Sequence, residues 1–113
     1  MTDFSKYLQS QLSTLGLPVY FEHFLTEKTE VPCLSWRTDN DLTRVRGSNL
    51  SFSWLYVAVK IWGKDKAVFE KYSDKVDSLM HLLGFERIAT NELWATGIGQ
   101  LELRYRGTYK ENI

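Results

Sequence analysis

The segment FSWLYVAVKIW (residues 52–62) decides how this chain folds, because it predicts one long strand that is apolar on both faces. Alternate side chains of a strand point to opposite faces of a sheet. One face carries Leu55, Val57, Val59 and Ile61, and the other carries Phe52, Trp54, Tyr56, Ala58 and Trp62, with Lys60 as its one charge. Such a strand needs cover on both faces. Since the chain has room for only two helices, we expect its second face to meet a partner, most simply another copy.

The composition is that of a single folded domain covering residues 1–113. Hydrophobic residues make up 43% of the chain and charged residues 25%, which is ordinary for globular proteins. The 14 basic and 14 acidic residues cancel, so no net field attracts nucleic acid or an anionic membrane. The longest apolar run falls short of the roughly 20 residues that span a bilayer, and the N-terminus does not resemble a signal peptide. We therefore expect a soluble protein with no membrane partner.

Two helices are predicted from apolar residues that recur at helical spacing. The first covers residues 3–15 and ends at Gly16, and the second covers residues 65–83 and ends at Gly84. The second helix has a complete apolar stripe along one side and charged residues along the other. Both helices are expected to dock on a sheet by their stripes.

The remaining segments predict strands and loops. Residues 19–25 and 33–38 are expected to form strands, with the polar residues 27–30 as a hairpin turn between them. Residues 39–49 are expected to form a long projecting loop, and residues 108–113 a frayed tail. Residues 86–90 predict a short strand, residues 91–99 a loop, and residues 100–107 an alternating strand. The order α-β-β-β-α-β-β gives an α+β fold, with a mixed or antiparallel sheet of four to five strands and two helices packed on one face.

No catalytic, metal or cofactor-binding site is indicated by the residues, and we expect no enzyme and no cofactor. His23, His81 and Cys33 lack the spacing of metal ligands, and a single cysteine excludes an internal disulfide. Gly97 and Gly99 precede a strand rather than a helix, so they do not form a dinucleotide-binding loop.

The aromatic face of the 52–62 strand has two functional interpretations. One is a base-stacking platform, which would make the protein a small α+β nucleic-acid- or ligand-binding domain. The other is an interface between subunits. A third, purely structural interpretation is burial of this face under the N-terminal helix. The near absence of basic neighbours favours the last two over base stacking. The arginines of the polar loop fit either a solvated tip or a docking arm. The candidate interface residues are Arg44, Arg46, Trp54, Tyr56 and Trp62.

Four segments carry a resemblance to a known family. They are VKIWGKD (residues 59–65), KVDSLM (75–80), LGFER (83–87) and the terminal alternating strand LELRYR (101–106). In this order, after an N-terminal helix and the strand VPCLSW (31–36), they resemble the small tail-completion and tail-terminator proteins of long-tailed bacteriophages. The resemblance covers nearly the whole chain and is one of pattern.

The resemblance implies a structural role without catalytic residues. Proteins of this family form a ring, usually of six subunits, at the end of the tail tube, where they stop tube growth and join the tail to the head connector of the capsid. The implied partners are further copies of the chain, the tail tube protein and the head connector protein. The implied location is the neck region of the virion, after assembly in the host cytoplasm.

Overall fold

A computed structural model of the protein describes residues 3–21, 30–41 and 52–110. The elements are α1 (Asp3–Ser13), β1 (Val19–Phe21), β2 (Cys33–Asp41), β3 (Phe52–Gly63), α2 (Lys66–Leu82), β4 (Phe85–Ala95) and β5 (Ile98–Lys110). The five strands form one mixed sheet in the order β1-β2-β3-β5-β4. The fold is therefore α+β with the predicted order of elements, and the doubly apolar strand lies at the centre of the sheet.

One face of β3 forms the core of the molecule, as its alternation predicts. Leu55, Val57, Val59 and Ile61 are buried in one cluster with Leu8 and Leu12 of α1 and Phe69, Val76 and Met80 of α2. Both helices therefore pack on the same face of the sheet. Each apolar side chain buried in this layer contributes about 1.5–3 kcal/mol to folding.

The ends of α2 follow the capping signals in the sequence. The Asp65 carboxylate accepts a hydrogen bond of 3.2 Å from the backbone N–H of Val68, which satisfies a donor of the first turn. Gly84 has a φ of 90°, a left-handed conformation that ends helices at low cost in glycine. The helix lies within one residue of its predicted bounds.

The predicted hairpin between the first two strands is wrong. β1 pairs with β2 in parallel, with Val19 opposite Leu34 and Phe21 opposite Trp36. A short turn joins antiparallel strands, whereas parallel neighbours need a crossover connection. β1 is held instead from both sides: Gln9 of α1 donates to the carbonyl of Val19 (2.9 Å), and the rings of Phe21 and Trp36 lie 4.6 Å apart.

The predicted loop at 91–99 is also wrong, because β4 continues to Ala95. Only Thr96 and Gly97 form the turn, with φ values of 54° and 79°, which is typical of a two-residue type I′ hairpin. Gly99 does not break the strand. A Cβ there would lie 2.8 Å from atoms of Phe69 and Trp94, so its lack of a side chain makes room for these rings.

The strands at the other end of the sheet extend further than predicted. Thr108 and Lys110 lie in β5 opposite Trp54 and Phe52, so the predicted frayed tail begins no earlier than residue 111, and residues 111–113 lie outside the described residues. Asp41 still belongs to β2. The remainder of the predicted loop, from residue 42 onward, also lies outside the described residues.

Candidate interaction surface

The sheet face opposite the helices, which we call the open face, is covered by no helix or strand that the structure describes. Alternation and register place these side chains on it: Ser35 and Arg37 of β2, Tyr56, Ala58, Lys60 and Trp62 of β3, Asn91 and Leu93 of β4, and Glu102, Arg104 and Arg106 of β5. Tyr56 and Trp62 are half-buried, and Leu93 is exposed. The open face thus contains the second face of β3, the one that the sequence predicts the two helices of the chain leave uncovered.

A charge cluster lies at the centre of the open face, where β3 alone predicts mostly apolar side chains. Glu102 Oε2 lies 3.9 Å from both Arg37 Nη2 and Lys60 Nζ, and Glu102 Oε1 lies 3.2 Å from Arg104 Nε. The Glu102 side chain is 13% exposed, against 39% for Arg37, 29% for Lys60 and 47% for Arg104. The carboxylate therefore lies beneath the cations and orients them toward solvent. Exposed pairs of this kind stabilise a fold by at most about 1 kcal/mol each.

Trp62 is fixed at one end of this cluster. Its indole N–H donates a hydrogen bond of 2.9 Å to the hydroxyl of Ser35 on β2. The Lys60 ammonium lies 5.7 Å from the centroid of the Trp62 ring, within the range of a cation–π contact. The Trp62 ring is therefore held by the Ser35 hydroxyl on one side and contacts the Lys60 cation of the charge cluster on the other.

An apolar cavity of about 160 Å³ lies at the other end of the cluster. It is lined by Tyr56, Val57, Ala58, Ile88, Arg104 and Tyr105. Ile88 reaches it because the pairing of β4 with β5 shifts between Arg87 and Ala89, a β-bulge that adds one residue to the outer strand. Nothing in the sequence indicates this bulge, so sequence reasoning missed Ile88.

The predicted interface residues are described only in part. Tyr56 and Trp62 lie on the open face, separated by Ala58 and Lys60. Trp54 belongs to β3, with its Cα opposite that of Thr108. Arg44 and Arg46 lie outside the described residues, so their predicted role stays a prediction. Glu102 was missed, although the alternation of its strand points it outward, because its pairing with Lys60 depends on strand register.

A second polar group lies on the helix side of the sheet. Tyr105 donates to Asp77 of α2, and Arg87 of β4 donates to the same carboxylate at 2.9 Å. These residues line an open cavity of about 460 Å³ together with Ser78, His81, Phe85 and Glu86. Burial and, secondarily, the hydrogen bond to Asp77 raise the pKa of Tyr105 far above its usual value. Its phenol therefore stays protonated and connects β5 to α2.

The remaining features to consider are the thiol of Cys33, a shared metal site and a membrane-spanning helix. Cys33 is buried, and burial raises the pKa of its thiol to about 11, which suppresses the reactive thiolate. In residues 3–21, 30–41 and 52–110, no three His, Cys, Asp or Glu side chains lie close enough to share a metal ion. In the same ranges, neither helix has the length and apolar character needed to cross a bilayer.

The open face presents the aromatic side chains of Tyr56 and Trp62 beside the cations Lys60 and Arg104. Comparison with known proteins adds no assignment, since no protein-family model matches the sequence and no curated protein matches it.

Proposed function

We propose that this chain is a structural virion assembly protein that forms a ring at the end of a phage tail tube, terminates tail growth and joins the tail to the capsid connector. The proposal combines the sequence resemblance to tail-terminator proteins with the open face of the sheet. A ring of identical subunits needs a patch on each subunit that contacts a different patch on the next.

The observation that carries the proposal is the half-buried state of Tyr56 and Trp62 on the open face. Aromatic residues and arginines provide most of the binding energy at the centres of protein interfaces. On this surface Trp62 and Tyr56 flank Lys60 and Arg104, and exposed Ile88 adds apolar area beside them. A subunit contact would remove these rings from water while the rim of charges selects the partner.

The test is the length of tail tubes assembled in the presence of the protein. Tail tube protein is polymerised alone and with this chain, and tube lengths and tube ends are scored by negative-stain electron microscopy. We expect shorter tubes of narrow length distribution, each closed by a ring. Tubes of unaltered length with bare ends would contradict the proposal.

A matched pair of variants locates the effect on the open face. Ile88→Glu introduces a charge at an exposed position beside the cavity, whereas Leu82→Glu does so at an exposed position on α2. Ile88→Glu should lose the effect on tube length, and Leu82→Glu should retain it. Equal behaviour of the two variants would remove the open face from the mechanism.

The second candidate function, a nucleic-acid-binding sheet, draws on the same surface, where Lys60, Arg104 and Arg106 accompany the aromatic residues. Two observations weigh against nucleic-acid binding. The Trp62 ring is held by Lys60 and by its hydrogen bond to Ser35, so it is not free to stack on a base. The carboxylate of Glu102 lies among the cations, where it would repel a phosphate. A gel shift with single-stranded DNA and RNA at low salt separates the two functions. Binding that Arg104→Gln abolishes would favour the second.

A further inference from the structure

We propose that the open face of one copy binds β4 of a second copy, with Glu92 of β4 placed against Lys60 and Arg104. This inference rests on the proposed function, because it names the subunit contact from which the ring would be built. Both surfaces of the proposed contact belong to this one chain.

The donor surface is the outer edge of β4. This strand is last in the sheet, and no strand that the structure describes pairs with its outer edge. Every residue from Glu86 to Ala95 is exposed. A long exposed edge strand is a ready site for association with another chain. The bulge at Ile88 interrupts only the first part of β4, and the pairing from Ala89 to Ala95 is regular.

The regular part of β4 combines apolar side chains with a single negative charge. Its sequence is ATNELWA (residues 89–95), in which Glu92 is the one charged residue. Leu93 is 53% exposed and Trp94 is 42% exposed, and the Trp94 indole donates to the Glu92 carboxylate at 3.1 Å. The positive charge nearest in sequence, Arg87, is paired with Asp77 on α2. Glu92 lies opposite Leu101 and Trp94 opposite Gly99, so both side chains project to the helix side of β4, whereas Leu93 projects to the open face. The helix side of this end of β4 thus presents a carboxylate beside a partly exposed indole.

The acceptor surface has the complementary chemistry. Lys60 and Arg104 are more exposed than Glu102, so an approaching carboxylate meets these cations before it meets the Glu102 carboxylate. The apolar cavity lined by Tyr56, Ala58 and Ile88 opens beside Arg104 and offers contact to an apolar group such as the exposed part of the Trp94 ring. A group with one carboxylate next to an apolar side chain fits this arrangement.

The donor lies on the outer strand β4 and the acceptor on β3 and β5, so one copy can use both surfaces at once, and the proposed ring uses them in a heterologous contact. Such a contact leaves one donor and one acceptor unused after each addition, and it ends only when a ring closes. The chain as a whole is neutral, which permits approach of copies whose complementary charges lie on separate patches.

A charge exchange tests the contact with the full-length chain. Glu92→Lys alters the donor and Arg104→Glu alters the acceptor, while Glu70→Lys and Lys71→Glu are matched reversals at exposed positions on α2. Self-association is measured by sedimentation velocity over a range of concentrations, and folding by circular dichroism. We expect each of the first two variants to weaken association by about tenfold or more, and the α2 variants to match the wild type.

Mixing the two altered chains gives the decisive result. In an alternating assembly, a wild-type donor meets a wild-type acceptor at one contact. At the next contact, the lysine introduced by Glu92→Lys meets the glutamate introduced by Arg104→Glu, so association should return to near the wild-type level. No recovery in the mixture, or association that is unchanged in Glu92→Lys, would overturn the inference. Lys60→Glu, which alters the other cation of the acceptor, should also weaken association and serves if Arg104→Glu does not fold.

The outcomes separate this inference from the proposed function. Tubes that are still terminated by Glu92→Lys would overturn the β4 contact and leave the tail role intact. Charge-dependent association of a chain that has no effect on tubes would support the contact and contradict the tail role. Binding of single-stranded DNA that Arg104→Glu abolishes, without any self-association, would overturn the inference in favour of a nucleic-acid partner.

Discussion

The phenol of Tyr105 donates a hydrogen bond of 2.5 Å to Asp77 Oδ1 and so joins the strand β5 to the helix α2. Arg87 contacts the other oxygen of the same carboxylate at 2.9 Å. The three residues come from three different elements, and their meeting fixes how α2 lies across the sheet. Helix position matters for the open face, because it determines which side of the sheet is left uncovered.

Removing this phenol should destabilise the fold measurably. Tyr105→Phe keeps the ring but removes the donor, and we expect a loss of about 1–2 kcal/mol in the free energy of unfolding. Urea denaturation followed by fluorescence measures it. Tyr7→Phe, at an exposed position on α1, is the matched control and should change nothing. Equal stability of Tyr105→Phe and the wild type would contradict the structural role of the bond.

The same bond predicts how stability depends on pH. Because the pKa of Tyr105 is raised in the folded protein above its usual value of 10.0, the unfolded chain loses this proton first. The stabilisation is fully present below pH 10 and is lost as the pH rises above it. The difference in unfolding free energy between wild type and Tyr105→Phe should therefore shrink above pH 10. A difference that stays constant through alkaline pH would show that the phenol is not shielded.

Cys33 should be chemically inert in the folded protein. Its side chain is buried, and burial raises its pKa to about 11, so little thiolate is present near neutral pH. A thiol reagent such as DTNB should react slowly under native conditions and fast in denaturant. Rapid stoichiometric reaction of the native protein would show that the β2 end of the sheet opens readily.

Gly99 should not tolerate a side chain. The Cβ of Gly99→Ala would lie 2.8 Å from ring atoms of both Phe69 and Trp94, so one ring must move. Overpacking of this kind typically costs about 1–3 kcal/mol. Thermal unfolding measures the loss, and Thr90→Ala at an exposed position of the neighbouring strand is the control. Unchanged stability of Gly99→Ala would mean that the rings do not lie over this position.

The β4–β5 turn should be improved by a single substitution. Thr96 is a β-branched residue at a φ of 54°, a conformation that asparagine adopts more readily. Thr96→Asn creates the Asn-Gly pair that type I′ turns prefer and should raise the free energy of unfolding by about 1 kcal/mol. Urea denaturation provides the measurement. A loss of stability would contradict the assignment of the turn.

Side-chain periodicity predicted the parts of this fold that depend on one element at a time. The alternation of Val57 and Val59 with Tyr56 and Ala58 correctly assigned the two faces of β3. The apolar spacing and the glycine at 84 located α2 to within one residue. Each of these features is set by local geometry, so the sequence of the element is sufficient.

Features that depend on two elements were missed or misread. The parallel pairing of Val19 with Leu34 is set by contacts with α1 and Trp36 rather than by a turn signal. Gly99 was predicted to break the strand, because the sequence alone does not show that the Trp94 ring of the neighbouring strand lies over it. The charge cluster around Glu102 exists only because the register of β3 and β5 brings Lys60 opposite it. Register and cross-strand partners cannot be read from a single strand.

The central claim is that the open face binds another protein subunit, and co-sedimentation with tail tubes tests it most directly. Trp62→Ala truncates a ring of the open face, and Tyr7→Ala truncates an exposed ring on α1 as the matched control. Each folded variant is mixed with tubes assembled from tail tube protein alone, and the bound fraction in the pellet is measured. We expect wild type and Tyr7→Ala to pellet with the tubes while Trp62→Ala stays in the supernatant. Pelleting of Trp62→Ala at the wild-type level, or of none of the three proteins, would contradict the claim.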